Sequence, residues 1–171
     1  AVLACVLFCL FPAWFRELLA SPEGFLTGVR SYIRFLPFFL LVMTISIFLL
    51  FAAGVRPEAQ KIAREVMKIS SFPVLGAIIV AGCVVAPFLE EIIFRGAVHS
   101  GVRSVCSPAA GVGLSAVLFA AVHQEPTGFA GLCAIGIMLA ILLETQQTLW
   151  ACVGFHVANN MVAMAAILAV R

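Results

Sequence analysis

Two adjacent carboxylates, Glu90 and Glu91, and an arginine, Arg95, interrupt a run that is otherwise almost unbroken apolar sequence. On insertion scales an ionised group in the middle of a membrane costs roughly 2.5 to 3.5 kcal/mol, so each of these needs a partner or a purpose. Glu91 and Arg95 stand i, i+4 with the acid N-terminal, the spacing at which a carboxylate and a guanidinium meet on one helix face. Glu90 sits about 100° further round that helix. It is the carboxylate left to face something else. The apolar stretches hold few other strong polar groups: His99, His123, His156, Asn159 and Asn160. A carboxylate, two imidazoles and a carboxamide are the materials of hydrolysis, a base for water and donors for a developing oxyanion. The same groups could serve as a buried ion pair beside a spare acid, as helix-packing imidazoles bonded to carbonyls, or as a proton relay.

Three helices must bring these side chains together. Residues 72–103 are too long for one straight span, since some thirty residues of helix reach about 45 Å, and Pro87 is expected to kink or divide the helix just before the glutamates. Ser107 and Pro108 restart a helix as capping residue and first-turn proline, and small residues carry it to His123. The last span covers residues 149–170. With the turn at 104–106 taken as one membrane face, Glu90 lies roughly 21 Å below it and His123 roughly 24 Å below. His156 lies about 10 Å down and Asn160 about 17 Å down, four residues apart on one helix face. Glu90, His123 and Asn160 therefore converge, with His156 slightly above. His99, one turn beyond Arg95, reads as a packing group bonded to a neighbouring carbonyl. Phe119, one turn before His123, reads as packing, with a possible second role in holding the imidazole's orientation.

The composition agrees with a membrane setting. Of 171 residues, 64% are hydrophobic and 11% charged, and the mean hydropathy is +1.18, which is wrong for a soluble domain. The predicted fold is all-α, a polytopic membrane helix bundle of about six transmembrane helices with an amphipathic interfacial helix. Residues 1–15 form a first span or its remainder, closed by Pro12 and Trp14. At about 22 Å this run is short of a bilayer core, so sequence upstream of Ala1 is expected; a signal peptide fits less well. Residues 16–34, with Arg16, Glu17, Glu23, Arg30 and Arg34, read as a polar connection carrying a short interfacial helix over 25–32. Residues 35–54 are a charge-free span ended by Gly54. Residues 55–69 alternate apolar and charged faces at three- and four-residue spacing, an amphipathic helix in the headgroup region. A turn at 124–128, a span at 129–143 and a polar hairpin at 144–147 complete the order. Residues 1–71 thus make an N-terminal part and 72–171 the part that carries the chemistry.

The net charge of +2 comes from ten Lys and Arg against eight Glu, spread over loops, which gives no support to nucleic-acid binding. The six cysteines form no CxxC pair and no zinc-cluster spacing, and read as small apolar packing residues. The basic residues barely decide orientation. The cluster Arg56, Lys61, Arg64 and Lys68, with Arg171, tips that face toward the cytoplasm.

Glu90 to Arg95 resembles the EExxxR signature of the CAAX protease and bacteriocin-processing family, also called Abi, which includes the Ras-converting enzyme. Phe119 to His123 is similar to that family's FxxxH element and His156 to Asn160 to its HxxxN element, all three in the family's order. The resemblance covers residues 72 to 165. It implies an intramembrane endopeptidase in which Glu90 activates water and His123 helps to position it. His156 and Asn160 would act on the oxyanion, and Glu91, Arg95 and Phe119 would support them. No cofactor is then expected. The alternative is a zinc metalloprotease with Glu90, His123 and His156 as ligands, although no HExxH is present. An alternative of another class is a transporter with a buried Glu and His proton relay. The expected partners are membrane lipid and a membrane-associated or lipidated protein or peptide, in a prokaryotic plasma membrane. This chain is shorter than the eukaryotic prenyl-protein proteases, so the resemblance leaves open whether the substrate is a lipidated C-terminus, a bacteriocin leader or a C-terminal sorting helix.

Overall fold

The computed structural model describes residues 19–56 and 61–171. The expected first span at 1–15, with Pro12, Trp14, Arg16 and Glu17, lies outside the described residues, as do positions 57–60 of the amphipathic helix. Among the described residues the chain is helical throughout, with no strand.

α1 is Gly24–Ala52, 29 residues long and continuous through Pro37. The polar connection expected at 16–34 is therefore mostly helix. Arg30 and Arg34, four apart, share one exposed face, whereas Gly24, Gly28 and Tyr32 repeat at the same spacing on a buried one. The short helix expected over 25–32 is therefore present, but it is continuous with the span after it, with Arg30 and Arg34 on one side and the packed glycines on the other. The helix stops where Gly54 takes a positive φ of 78°. α2, Lys61–Met67, is shorter than the expected 55–69, because Val55 and Arg56 lie outside any helix. Val66 is fully buried, and α2 lies against the last helix of the chain.

α3, Phe72–Val105, is a single 34-residue helix. Pro87 does not divide it. Two π-helical stretches, Ala81–Val85 and Ile92–His99, flank a short α-helical piece, Ala86–Glu91, that carries both glutamates. In the first stretch the N–H of Ala86 donates to the carbonyl of Ala81, five residues back, so the wider register accommodates a proline that has no N–H. α4, Pro108–Val122, opens with Ser107 accepting the Ala110 N–H at 3.2 Å, the cap expected of Ser-Pro. A 3₁₀ turn at Pro126–Gly128 leads to α5, Phe129–Gln146, and Gln147 at φ 51° ends it. α6, Leu149–Ala169, starts from Thr148, whose hydroxyl accepts the Trp150 N–H at 3.3 Å.

Four of these helices (α1, α3, α6, and α5 with its leading turn) are long and apolar enough to cross a membrane; α4 is a shorter apolar helix. The chain is a membrane protein. α6 is central, packed most extensively on α1, while α4 pairs with α5. The α1–α6 crossing is close because a Cβ on Gly28 would run into the carbonyl of Ala151, and one on Gly154 into the carbonyl of Phe25. Around that crossing lie Tyr32 and Phe155, edge to face at 5.3 Å, with Phe35 against the same ring at 5.5 Å. Leu139, Leu142 and Leu149 continue the core toward Phe94 and Phe119. Phe38, Leu41 and Phe48 of α1, by contrast, point outward, as lipid-facing residues do.

Candidate functional site

Consecutive glutamates on one α-helical turn must point in different directions, and here the two directions differ in kind. Glu91 is completely buried. Its Oε2 is 3.2 Å from Arg95 Nε, and its Oε1 is 2.7 Å from His156 Nδ1. Glu90, with a side chain 30% exposed, faces a cleft.

The imidazoles are held from behind. His123 Nδ1 donates to the carbonyl of Phe119 at 2.7 Å, since a carbonyl can only accept, and this leaves Nε2 as the free edge. That edge stands 3.9 Å from Glu90 Oε2. His156 is fastened through Nδ1 by Glu91, and its Nε2 stands 3.7 Å from the same oxygen. Glu90 Oε2 is buried with no hydrogen-bond partner in the protein. One carboxylate oxygen is thus faced by two ring nitrogens at distances too long for direct hydrogen bonds and short enough to share a small ligand.

Phe119 lies beneath this group. Its ring is 4.7 Å from that of His123 and 5.7 Å from that of His156, and the Arg95 guanidinium carbon sits 4.8 Å from its centroid. The residue fills the core and also orients a histidine through its carbonyl. Arg95, fully buried, donates to the Gly136 carbonyl at 3.1 Å, tying α3 to α5.

Asn160 lines the same cleft, and its amide donates to the Gly82 carbonyl at 3.0 Å. Asn159 donates in turn to Asn160 Oδ1 at 3.1 Å. The cleft has a volume of about 660 Å³ and runs between α1, α5 and α6, with Glu90, His123 and His156 in its wall. Apart from these groups it is mainly apolar, lined for example by Leu36, Phe39, Met43, Val162 and Ile167.

All the expected residues meet, though not at the expected depths. His156 Nε2 comes to 3.7 Å from Glu90 Oε2 rather than standing above it, and the π stretch Ile92–His99 between Glu90 and the turn departs from the ideal α-helical rise on which the expected depths rest. His99 is buried as expected, but its partners are not carbonyls: Nε2 is 2.9 Å from Glu144, which also pairs with Arg103 at 3.1 Å, and Nδ1 is 3.5 Å from the Ser115 hydroxyl. Sequence reasoning gave no role to Asn159 or Cys83, both in the cleft wall. Asn159 was visible as one of two adjacent carboxamides in an apolar span; a lone cysteine in such a span carries no comparable signal.

The donor set can be compared with the spacing that a metal ion requires. Two nitrogen or oxygen ligands on a tetrahedral zinc with bonds near 2.1 Å lie roughly 3.4 Å apart, whereas the gaps from Glu90 to the imidazoles are 3.7 and 3.9 Å. Among the described residues no group of three His, Cys, Asp or Glu side chains is disposed to hold a metal ion.

A family model described as type II CAAX prenyl endopeptidase Rce1-like matches residues 72–162, more than half of the chain and the whole of the segment that carries the site. No curated protein and no solved structure gives a match.

Proposed function

Because the chain belongs to the type II CAAX prenyl endopeptidase Rce1-like family of membrane proteases, we propose that it hydrolyses a peptide bond within the membrane, with Glu90 as general base. The observation that carries this reading is the single oxygen, Glu90 Oε2, faced by the Nε2 edges of His123 and His156 at 3.9 and 3.7 Å in the wall of an apolar cleft.

In this mechanism a water gives one hydrogen bond to Glu90 Oε2 and the other to His123 Nε2. Glu90 takes its proton as the water oxygen attacks the carbonyl carbon, and returns the proton to the nitrogen of the leaving amine, so the base ends each cycle as it began. His156, held through Nδ1 by Glu91, presents its Nε2 edge to the developing oxyanion. Arg95 balances Glu91 and holds that carboxylate in place. Asn160 supports the helix that carries Glu90 and borders the same cleft.

We adopt the metal-free mechanism, and the zinc alternative on Glu90, His123 and His156 is separated from it by chelation. Purified protein is expected to keep its activity in chelator. Stoichiometric metal, with activity lost on chelation and regained on metal return, would replace this reading with the metalloprotease one. A proton-relay transporter would show transport and no cleavage even in the unaltered protein.

The catalytic part on this reading is 72–171, with 1–71 as N-terminal spans and interfacial helix, in a prokaryotic plasma membrane. The substrate is membrane-associated: a lipidated C-terminus, a bacteriocin leader or a C-terminal sorting helix. The test is cleavage-site mass spectrometry on candidate membrane substrates, comparing the native protein with Glu90→Gln. Loss of a general base costs roughly 10²- to 10⁴-fold, and native-level cleavage by Glu90→Gln would rule out the assignment.

A further inference from the structure

The cleft that holds Glu90 has a second unpaired acid in its wall. Glu125 lies in the turn between α4 and α5, two residues beyond His123, and is partly buried. Among the described residues its carboxylate makes no ion pair and no side-chain hydrogen bond. Glu65 also lines the cleft, but it is already paired with Lys68 at 2.8 Å. No lysine or arginine stands among the described residues that line the cleft. Away from the two imidazoles its described walls are mainly apolar, and the ionisable groups there, Glu125 among them, are acids.

The backbone around Glu125 holds it in place. Gln124 takes a φ of 53°, Pro126 begins the 3₁₀ turn, and the Gly128 N–H bonds back to the Glu125 carbonyl at 3.0 Å. A carboxylate kept on a defined turn at the wall of an apolar cleft, with no cation of its own, suits a cation that arrives with the ligand.

We propose that Glu125 is a specificity-determining residue of the proteolytic site, receiving the side chain of a lysine or arginine in the substrate. Two residues of chain put its Cα no more than about 7 Å from that of His123. At about 3.3 Å per residue of extended peptide, the basic residue falls within roughly three positions of the scissile bond. The inference rests on the protease reading above and narrows its substrate class to basic segments. An acidic residue at that position is disfavoured.

The test uses the full chain, purified in detergent, and internally quenched peptides of one apolar sequence with Lys, Gln or Glu placed in turn at each of the three positions on either side of the cleaved bond. At one or more positions the Lys peptide is expected to exceed the Gln peptide about tenfold in kcat/KM, a difference of about 1.4 kcal/mol, with the Glu peptide lowest. Glu125→Gln should bring the Lys to Gln ratio close to one, and Glu125→Lys should invert it; both readouts are ratios within one variant and do not depend on its yield of folded protein. A ratio within twofold of one at every position, or one unchanged in Glu125→Gln, overturns the inference and leaves the protease reading standing. Failure of the unaltered protein to cleave any of the peptides overturns both.

Discussion

Asn160 donates its side-chain amide to the carbonyl oxygen of Gly82 at 3.0 Å, joining α6 to the first π stretch of α3. The bond has a cause in the backbone. Gly82 would normally receive an N–H from residue 86 or, in π register, from residue 87; Ala86 is bonded to Ala81 instead, and residue 87 is proline. In an apolar bundle the carbonyl left over needs a donor, and a side chain from the next helix supplies it. One residue therefore ties together the helix that carries Glu90 and the helix that carries His156.

Removing that donor should destabilise the fold by about 1 to 3 kcal/mol, the cost of an unpaired buried carbonyl. Asn160→Leu is expected to lower the unfolding midpoint in detergent, and Asn160→Asp to lower it further by setting an acceptor against an acceptor. Pro87→Ala restores an N–H in this region, so the double variant Pro87→Ala, Asn160→Leu should lose less than the sum of the two single changes. Strict additivity would show that Pro87 and Asn160 are not coupled.

The Glu91 and Arg95 pair is fully buried, so breaking it from one side should cost more than deleting both charges. Arg95→Met alone leaves an uncompensated carboxylate and is expected to cost roughly 3 to 5 kcal/mol. Adding Glu91→Gln to it should recover part of that loss. Chemical denaturation of the unaltered protein and the two variants in one detergent provides the comparison, and equal stability of single and double variants would contradict the pairing.

On the proposed mechanism Glu91 also acts through His156, which it grips at 2.7 Å. Glu91→Gln should lower kcat by one to two orders of magnitude, roughly the loss seen when a partner that orients a histidine is removed, with KM little changed. A change confined to KM would assign Glu91 to substrate binding instead.

His123 and His99 should part company. His123→Ala is expected to abolish most cleavage while leaving the thermal midpoint nearly unchanged, since its ring is partly exposed in the cleft. His99→Ala removes a buried ring from between Glu144 and Ser115 and should lower stability by about 1 to 3 kcal/mol, with cleavage by the folded fraction retained. The reverse pattern would mean that the site has been drawn around the wrong histidine.

At the α1–α6 crossing a single methyl group is too much. Gly28→Ala and Gly154→Ala each drive a Cβ into the opposing backbone and should cost about 1 to 3 kcal/mol or more. Gly76→Ala, where nothing lies within 4 Å, should be neutral or slightly stabilising. Thermal unfolding of all three in the same detergent makes the comparison, and equal midpoints would place the crossing elsewhere.

Much of this protein was legible before any coordinates. The apolar composition called for membrane helices, because nothing else leaves lipid-exposed backbone satisfied. The spacing of Glu91 and Arg95 foretold their contact, and the angle between consecutive helical residues sent Glu90 in another direction. Ser107-Pro108 marked a helix start that the fold uses. Each of these depends on residues within a few positions of one another, where helical geometry alone decides who meets whom. What the local pattern could not settle was packing between distant segments. The helix read over 25–32 looked short and interfacial until the glycine-lined face opposite Arg30 and Arg34 found α6 and joined it to the span that follows. The proline at 87 looked like a break until a widened helix and the Asn160 amide absorbed it. The meeting of His156 with Glu90, the switch of His99 to a carboxylate partner and the assembly of one cleft from α1, α5 and α6 follow from helix register and close contact across the bundle. Those quantities belong to pairs of helices far apart in the chain, and only the folded arrangement sets them.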